Sequence, residues 1–166
     1  MMYYTQYLNM PRDPSEVIFK SSWLNFYDIL PSSLNFVTVV DLASWGDSKG
    51  IAKSVVMTVG TDKNHNLWIS RYDRGRFSPT EVLNLMEIHT RQYASKVYVE
   101  EIQYQKAIRH FARERMEKSG YFYDLSPLPY DGKKNAKVYR IQTIEPIAKQ
   151  GCLHVRTDMS EFLDEF

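Results

Sequence analysis

Phe36-Val37-Thr38-Val39-Val40-Asp41 is a mostly apolar run that closes on an acid. It reads as a buried strand with a carboxylate at its C-terminal end. Lys96-Val97-Tyr98-Val99-Glu100 is a second short strand that closes on an acid. Outward from the first run, Gly46 to Gly50 is a loop, Ile51 to Gly60 a strand and Asn66 to Tyr72 another. The polar stretch Thr61 to His65 joins the last two as a hairpin. The expected arrangement is an antiparallel meander of these three strands, with Lys96–Glu100 parallel and adjacent to the first.

Helices fill the remaining sequence. Ser78-Pro79-Thr80-Glu81 combines a capping serine, a proline at the first helical position and a glutamate able to close a capping box. The helix it opens is expected to run to about Ala94. Tyr104, Ala107, Ile108, Phe111 and Ala112 recur at helical spacing, so a second helix follows, ended by Gly120. Tyr121 to Leu125 can form a further strand. A helix from about Asn135, with Pro146 near its end and Gly151 as its stop, leads to a short strand over Cys152–Val155, and Asp158-Met159-Ser160-Glu161 opens a last helix. Pattern alone therefore predicts one mixed α/β domain.

Composition narrows the classes. A chain of 166 residues, 43% of them hydrophobic, is sized for one packed domain. The formal net charge of +1 gives no global basic field, so any nucleic-acid surface must be local. Cys152, the only cysteine, excludes an intrachain disulfide and is expected as a small buried hydrophobe. No apolar run approaches the ~20 residues of a membrane span, and the start Met1-Met2-Tyr3-Tyr4-Thr5-Gln6-Tyr7 has no signal-peptide pattern. There is no GxxxxGK[ST] phosphate loop. Residues 1–33, broken by Pro11, Pro14 and Pro31, read as a lead-in segment packing on a domain spanning 34–166.

Acids are the residues with chemical potential. Asp41 and Glu100 close two strands, Asp47 lies across a glycine-containing loop from Asp41, and Glu101 follows Glu100. If the strands are neighbours, Asp41 and Glu100 lie side by side, and a divalent cation that prefers oxygen ligands would relieve their repulsion. Strands usually end at the surface, however, so spacing alone favours solvated carboxylates over a metal site.

Four stretches tilt that balance. They are Gln6-Tyr7-Leu8-Asn9-Met10-Pro11; Val40-Asp41-Leu42-Ala43 with Asp47 downstream; Val99-Glu100-Glu101-Ile102-Gln103-Tyr104-Gln105; and Lys137-Val138-Tyr139-Arg140-Ile141 followed by Pro146 and Gly151. In order and spacing the chain resembles the nuclease domain of tailed-phage terminase large subunits. The resemblance implies a ribonuclease H-like fold with a mixed central sheet. It implies a metal-dependent DNA endonuclease that cuts concatemeric viral DNA during genome packaging, with two Mg²⁺ or Mn²⁺ ions in the complete site. Metal ligands would fall on Asp41 and Glu100, with Asp47 as an accessory acid. Glu101 is disfavoured because consecutive strand residues face opposite ways. The family's third acidic motif would follow the helix begun at Ser160, so the chain is expected to be a piece that stops at Phe166 before it, and to be weak or inactive alone. Double-stranded DNA, a terminase ATPase domain, a small terminase subunit and a portal are the implied partners, in the host cytoplasm and away from membranes.

The basic run Lys133, Lys134, Lys137 and Arg140 is by itself a solvated helical face. With the resemblance, Lys134, Lys137 and Arg140 become candidate DNA contacts. Arg71, Arg74 and Arg76 flank the loop after the third strand and can either touch DNA or be solvated, with solvation favoured; Arg109, Arg113 and Arg115 are expected to face solvent, with some i,i+4 pairing. His65 is expected in a loop and His89 and His110 on helix surfaces. The histidines show no metal-ligand spacing, and no nucleophile–histidine signature stands out. Trp23, Trp45 and Trp68 are expected to pack, with Trp45 the one placed to approach DNA. The rivals are another ribonuclease H-like enzyme, such as a resolvase or transposase core, and a non-catalytic docking module of the packaging motor.

Overall fold

The computed structural model describes residues 20–43, 52–100, 103–128 and 136–163, with the backbone alone described for 103–106, 136–142 and 161. After a 3₁₀ turn at Ser21–Trp23 come strands β1 (Leu24–Tyr27), β2 (Asn35–Asp41), β3 (Ser54–Thr61) and β4 (Leu67–Gly75). Helix α1 (Pro79–Tyr93), strand β5 (Lys96–Glu100), helix α2 (Gln103–Ser119) and strand β6 (Leu125–Leu128) follow. Helix α3 (Ala136–Lys149), strand β7 (Leu153–Arg156) and the short helix α4 (Ser160–Leu163) complete the described chain. The strands form one sheet in the order β1-β7-β4-β3-β2-β5-β6.

The expected meander is present: β2 and β4 both run antiparallel to β3, while β5 lies parallel to β2. Along β3 buried and half-buried residues alternate, because the two sheet faces are covered unequally. On one face Val40, Val56, Val97 and Val99 pack against Val82 and Met86 of α1 and Ile108, Ala112 and Met116 of α2. On the other, Leu24, Ile69, Leu153 and Val155 meet Ala148 of α3 and Met159, with Tyr72 and Phe162 at the margin. Helix α3 thus carries the chain from β6 at one sheet edge to β7 near the opposite edge.

Local chemistry sets the element ends. Ser78 accepts from the Glu81 amide while Glu81 accepts from the Ser78 amide, closing the expected capping box. Ala94 ends α1 in the left-handed region at φ 49°. In the β3–β4 turn the Asp62 carboxylate accepts from the Asn64 and Asn66 amides, the Asn66 side chain and the Trp68 indole. Those donors, the Asn66 side chain foremost, hold the Asp62 carboxyl down at about 2. His65 lies in this turn at φ 64°, as the loop expectation required.

Several expectations are corrected. No strand was expected before Phe36, yet β1 pairs in parallel with β7, burying Leu24 and Tyr27. The strand expected over Tyr121–Leu125 lies at Leu125–Leu128, where Pro127 is tolerated because β6 is an edge strand. Cys152 is half-buried rather than buried. Trp68 does pack, stacking on His154 at 3.9 Å and meeting Tyr27 edge-on, and Trp23 packs at the second core; Trp45 lies outside the described residues. Among the described residues no helix is long and apolar enough to cross a membrane.

Candidate active site

Val40 and Val99 are partners in the parallel β2–β5 ladder, and both are fully buried in the core under α1 and α2. Side chains alternate along a strand, so the next residues, Asp41 and Glu100, share the opposite face at the same sheet end. Asp41 is exposed and Glu100 half-buried. Just past Asp41, the Ala43 amide donates to Ser54 Oγ at 3.0 Å, tying the chain after β2 to the start of β3. The carboxylates therefore reach solvent from a rigid base of β-branched side chains. Two oxygen donors of this kind fit a hard divalent cation such as Mg²⁺ or Mn²⁺. Among the described residues no group of three or more His, Cys, Asp or Glu side chains is placed to hold a metal.

The remaining predicted site residues divide by position. Asp47, Glu101 and Lys134 lie outside the described residues. Lys137 and Arg140 fall in the first turns of α3, where the backbone is described. Leu128, the end of β6, is the partner of Glu100, and only residues 129–135 separate it from α3.

A buried polar chain went unpredicted. Ser95, Thr38 and Thr58 hydroxyls follow one another at 2.6 and 2.7 Å, and Thr58 lies 2.6 Å from His89 Nδ1. His89 Nε2 lies 2.8 Å from Asp73, which also accepts from Arg71 at 2.7 Å, and Arg71 reaches Gln92 at 3.0 Å. With the ring hydrogen on Nε2, each hydroxyl donates to the next group and every member is satisfied. Burial pushes the Asp73 carboxyl upward, but the hydrogen bonds from His89 and Arg71 outweigh it and hold the group at about 2. His89, expected on the helix surface, is fully buried. Its signal was the periodicity of Val82, Leu83, Met86, His89 and Thr90, the buried face of α1. The hydroxyl–imidazole–carboxylate order is that of a nucleophile relay, but Thr58 has no exposure and no substrate reaches it. The chain is structural, locking β2, β3 and β4 to α1.

The solvent-facing expectation for the arginines holds for Arg76 and fails for Arg115. Arg115 is partly covered and donates to Glu87 of α1 at 3.0 Å, whereas Arg113 is exposed. His110 is exposed as expected, 3.7 Å from Glu114. A polar cavity of about 510 Å³ opens beside β4, lined in part by Arg71, Asp73, Arg156 and Asp158. Each of its arginines is held by one of its acids, so these pairs add no net charge there.

No protein-family model matches the chain, and no curated protein does. Solved structures do. The large terminase nuclease of thermophilic phage G20c is 15% identical, with a TM-score of 0.57 over 87% of this chain and 75% of that one. A second structure of that nuclease, with bound zinc, is 14% identical, with a TM-score of 0.59 over 87% and 84%. The P22 large terminase nuclease domain is 12% identical, with a TM-score of 0.58 over 89% and 74%. With its seven-stranded mixed sheet and flanking helices, the chain has the ribonuclease H-like fold of phage terminase nuclease domains.

Proposed function

We propose that the protein is a metal-dependent DNA endonuclease domain of a phage packaging terminase, cutting concatemeric viral DNA in the host cytoplasm. The observation that carries this reading is the shared face and shared sheet end of Asp41 and Glu100, in a chain folded like terminase nucleases. The bound zinc in one of those nucleases supports use of a divalent metal. Asp41 and Glu100 would hold Mg²⁺ or Mn²⁺, with Asp47 as an accessory acid; a complete site would take two ions. Bound there, such ions supply activation of a water and charge stabilisation in phosphodiester hydrolysis. The rest falls to the protein: the ladder under the two carboxylates fixes their spacing, and Lys137 and Arg140 in the first turns of α3, together with Lys134, would hold DNA phosphates.

Residues 34–166 would carry the nuclease unit. The lead-in 1–33 would pack on it, with β1 as its share of the sheet. The ATPase domain, small subunit and portal are the partners this role requires. Plasmid nicking with Mn²⁺ tests the proposal. Cleavage by the wild type that is lost in Asp41→Asn and Glu100→Gln supports it. Cleavage that survives both substitutions contradicts it.

A further inference from the structure

Arg71, Arg74 and Arg76 cluster around the end of β4, and the fold assigns them three different surroundings. Arg71 is held by Asp73 and Gln92 at the margin of α1. Arg76 lies beyond the strand and is exposed. Arg74 belongs to a cross-strand row: Asp41 is the partner of Val55, and Val55 is the partner of Arg74. Directly paired residues share a sheet face. Asp73, just before Arg74, turns to His89 under α1, and Val56, just after Val55, is buried there too. Arg74, Val55 and Asp41 therefore share the other face, with Glu100 next to Asp41 in the same row.

This placement depends on an irregularity in β4. Thr58 pairs with Arg71 and Val59 with Ile69, so Ser70 is an extra residue in the strand. Without it, alternation would send Arg74 to the helix-covered face with Asp73's present neighbours. Ile69 and Tyr72, three apart, both face the second core, as a bulge between them requires. The bulge is firmly held: the Ile69 carbonyl accepts from the Tyr27 hydroxyl at 2.8 Å and the Ser70 carbonyl from the Tyr93 hydroxyl at 3.0 Å. Bulges beside active sites commonly re-aim a side chain. The cover over this face reaches Tyr72, which meets Phe162 of α4 edge-on, one step short of Arg74 on that side of the strand.

We propose that Arg74 is a DNA-contacting residue of the cleavage site, gripping a backbone phosphate that flanks the one presented to Asp41 and Glu100. This rests on the nuclease reading above. Two strand spacings put the Arg74 backbone about 10 Å from that of Asp41, a separation that the long arginine side chain can match to a neighbouring phosphate of the same DNA strand. Two carboxylates at a sheet end repel a polyanion, and a guanidinium in the same row offsets that repulsion at the site itself.

The test is binding of a labelled DNA duplex over a salt series by the wild type, Arg74→Ala, Arg74→Lys and Arg76→Ala, with thermal melting as the check on folding. Arg74→Ala should bind about tenfold more weakly at low salt, and its log–log salt slope should fall by ~1. Arg74→Lys should keep the slope, and Arg76→Ala should match the wild type. A wild-type slope in Arg74→Ala, with the wild type binding DNA, overturns the role of Arg74 and leaves the nuclease reading standing. A wild type that binds no duplex at low salt overturns both. If Arg74→Ala melts early, Arg74→Gln replaces it, and a wild-type slope in that variant overturns the role equally.

Discussion

Asp41 and Glu100 each stand one residue beyond a fully buried partner pair, Val40 and Val99. The hydrophobic core thereby dictates where the two carboxylates sit. A register slip of either strand by one residue would turn its carboxylate into the helix-covered face. The ladder and the second-face packing together make this sheet end a platform, and the expected consequences reach beyond the acids themselves.

Asp73 should make acid stability depend on one carboxylate. Its folded value of about 2 lies below the value of ~3.9 expected unfolded. Its contribution is therefore complete above pH ~4 and is lost as pH falls through about 2. Asp73→Asn should cost about 2 kcal/mol at neutral pH, with the gap to the wild type closing below pH ~4. Denaturant unfolding at stepped pH measures it; a gap independent of pH would mean that the pair with His89 contributes nothing through ionisation.

Tyr93→Phe removes the hydroxyl that satisfies the Ser70 carbonyl in the β4 bulge. The expected loss is about 1 kcal/mol of stability, with little change in DNA affinity as long as the bulge persists. Chemical denaturation and duplex binding on the same samples check both halves. An unchanged midpoint would show that water replaces the hydroxyl without cost.

The basic start of α3 should read out in salt. Replacing both Lys137 and Arg140 by alanine should lower the salt slope of DNA binding by up to ~2, with melting barely changed. An unchanged slope would return both residues to a solvated helical face.

Much of this was legible in sequence. The strands closing on Asp41 and Glu100, the capping box at Ser78 and the meander follow from period-2 patterning and local capping chemistry, which operate within a few residues. What escaped depends on partners distant in the chain. β1 is a four-residue edge strand stabilised by β7, more than a hundred positions away, and no local period marks it. His89, expected on the helix surface, has the spacing of the buried face of α1. The Ser70 bulge exists only in the pairing of β4 with β3, so the separate surroundings of Arg71, Arg74 and Arg76 had no sequence signal. The pairing that brings Asp41 beside Glu100 was read correctly, but their chemistry was suggested by family resemblance and not by spacing.

Thermal melting in chelator and across a Mn²⁺ series, with the wild type, Asp41→Asn, Glu100→Gln and Glu101→Gln, tests the central claim most directly. Without metal, neutralising one of two neighbouring carboxylates relieves repulsion, so Asp41→Asn and Glu100→Gln should melt at or above the wild-type temperature. With Mn²⁺ the wild type and Glu101→Gln should gain stability, and the other two should gain markedly less. Equal Mn²⁺ shifts in the wild type, Asp41→Asn and Glu100→Gln would contradict the assignment of these two acids as the metal-holding pair.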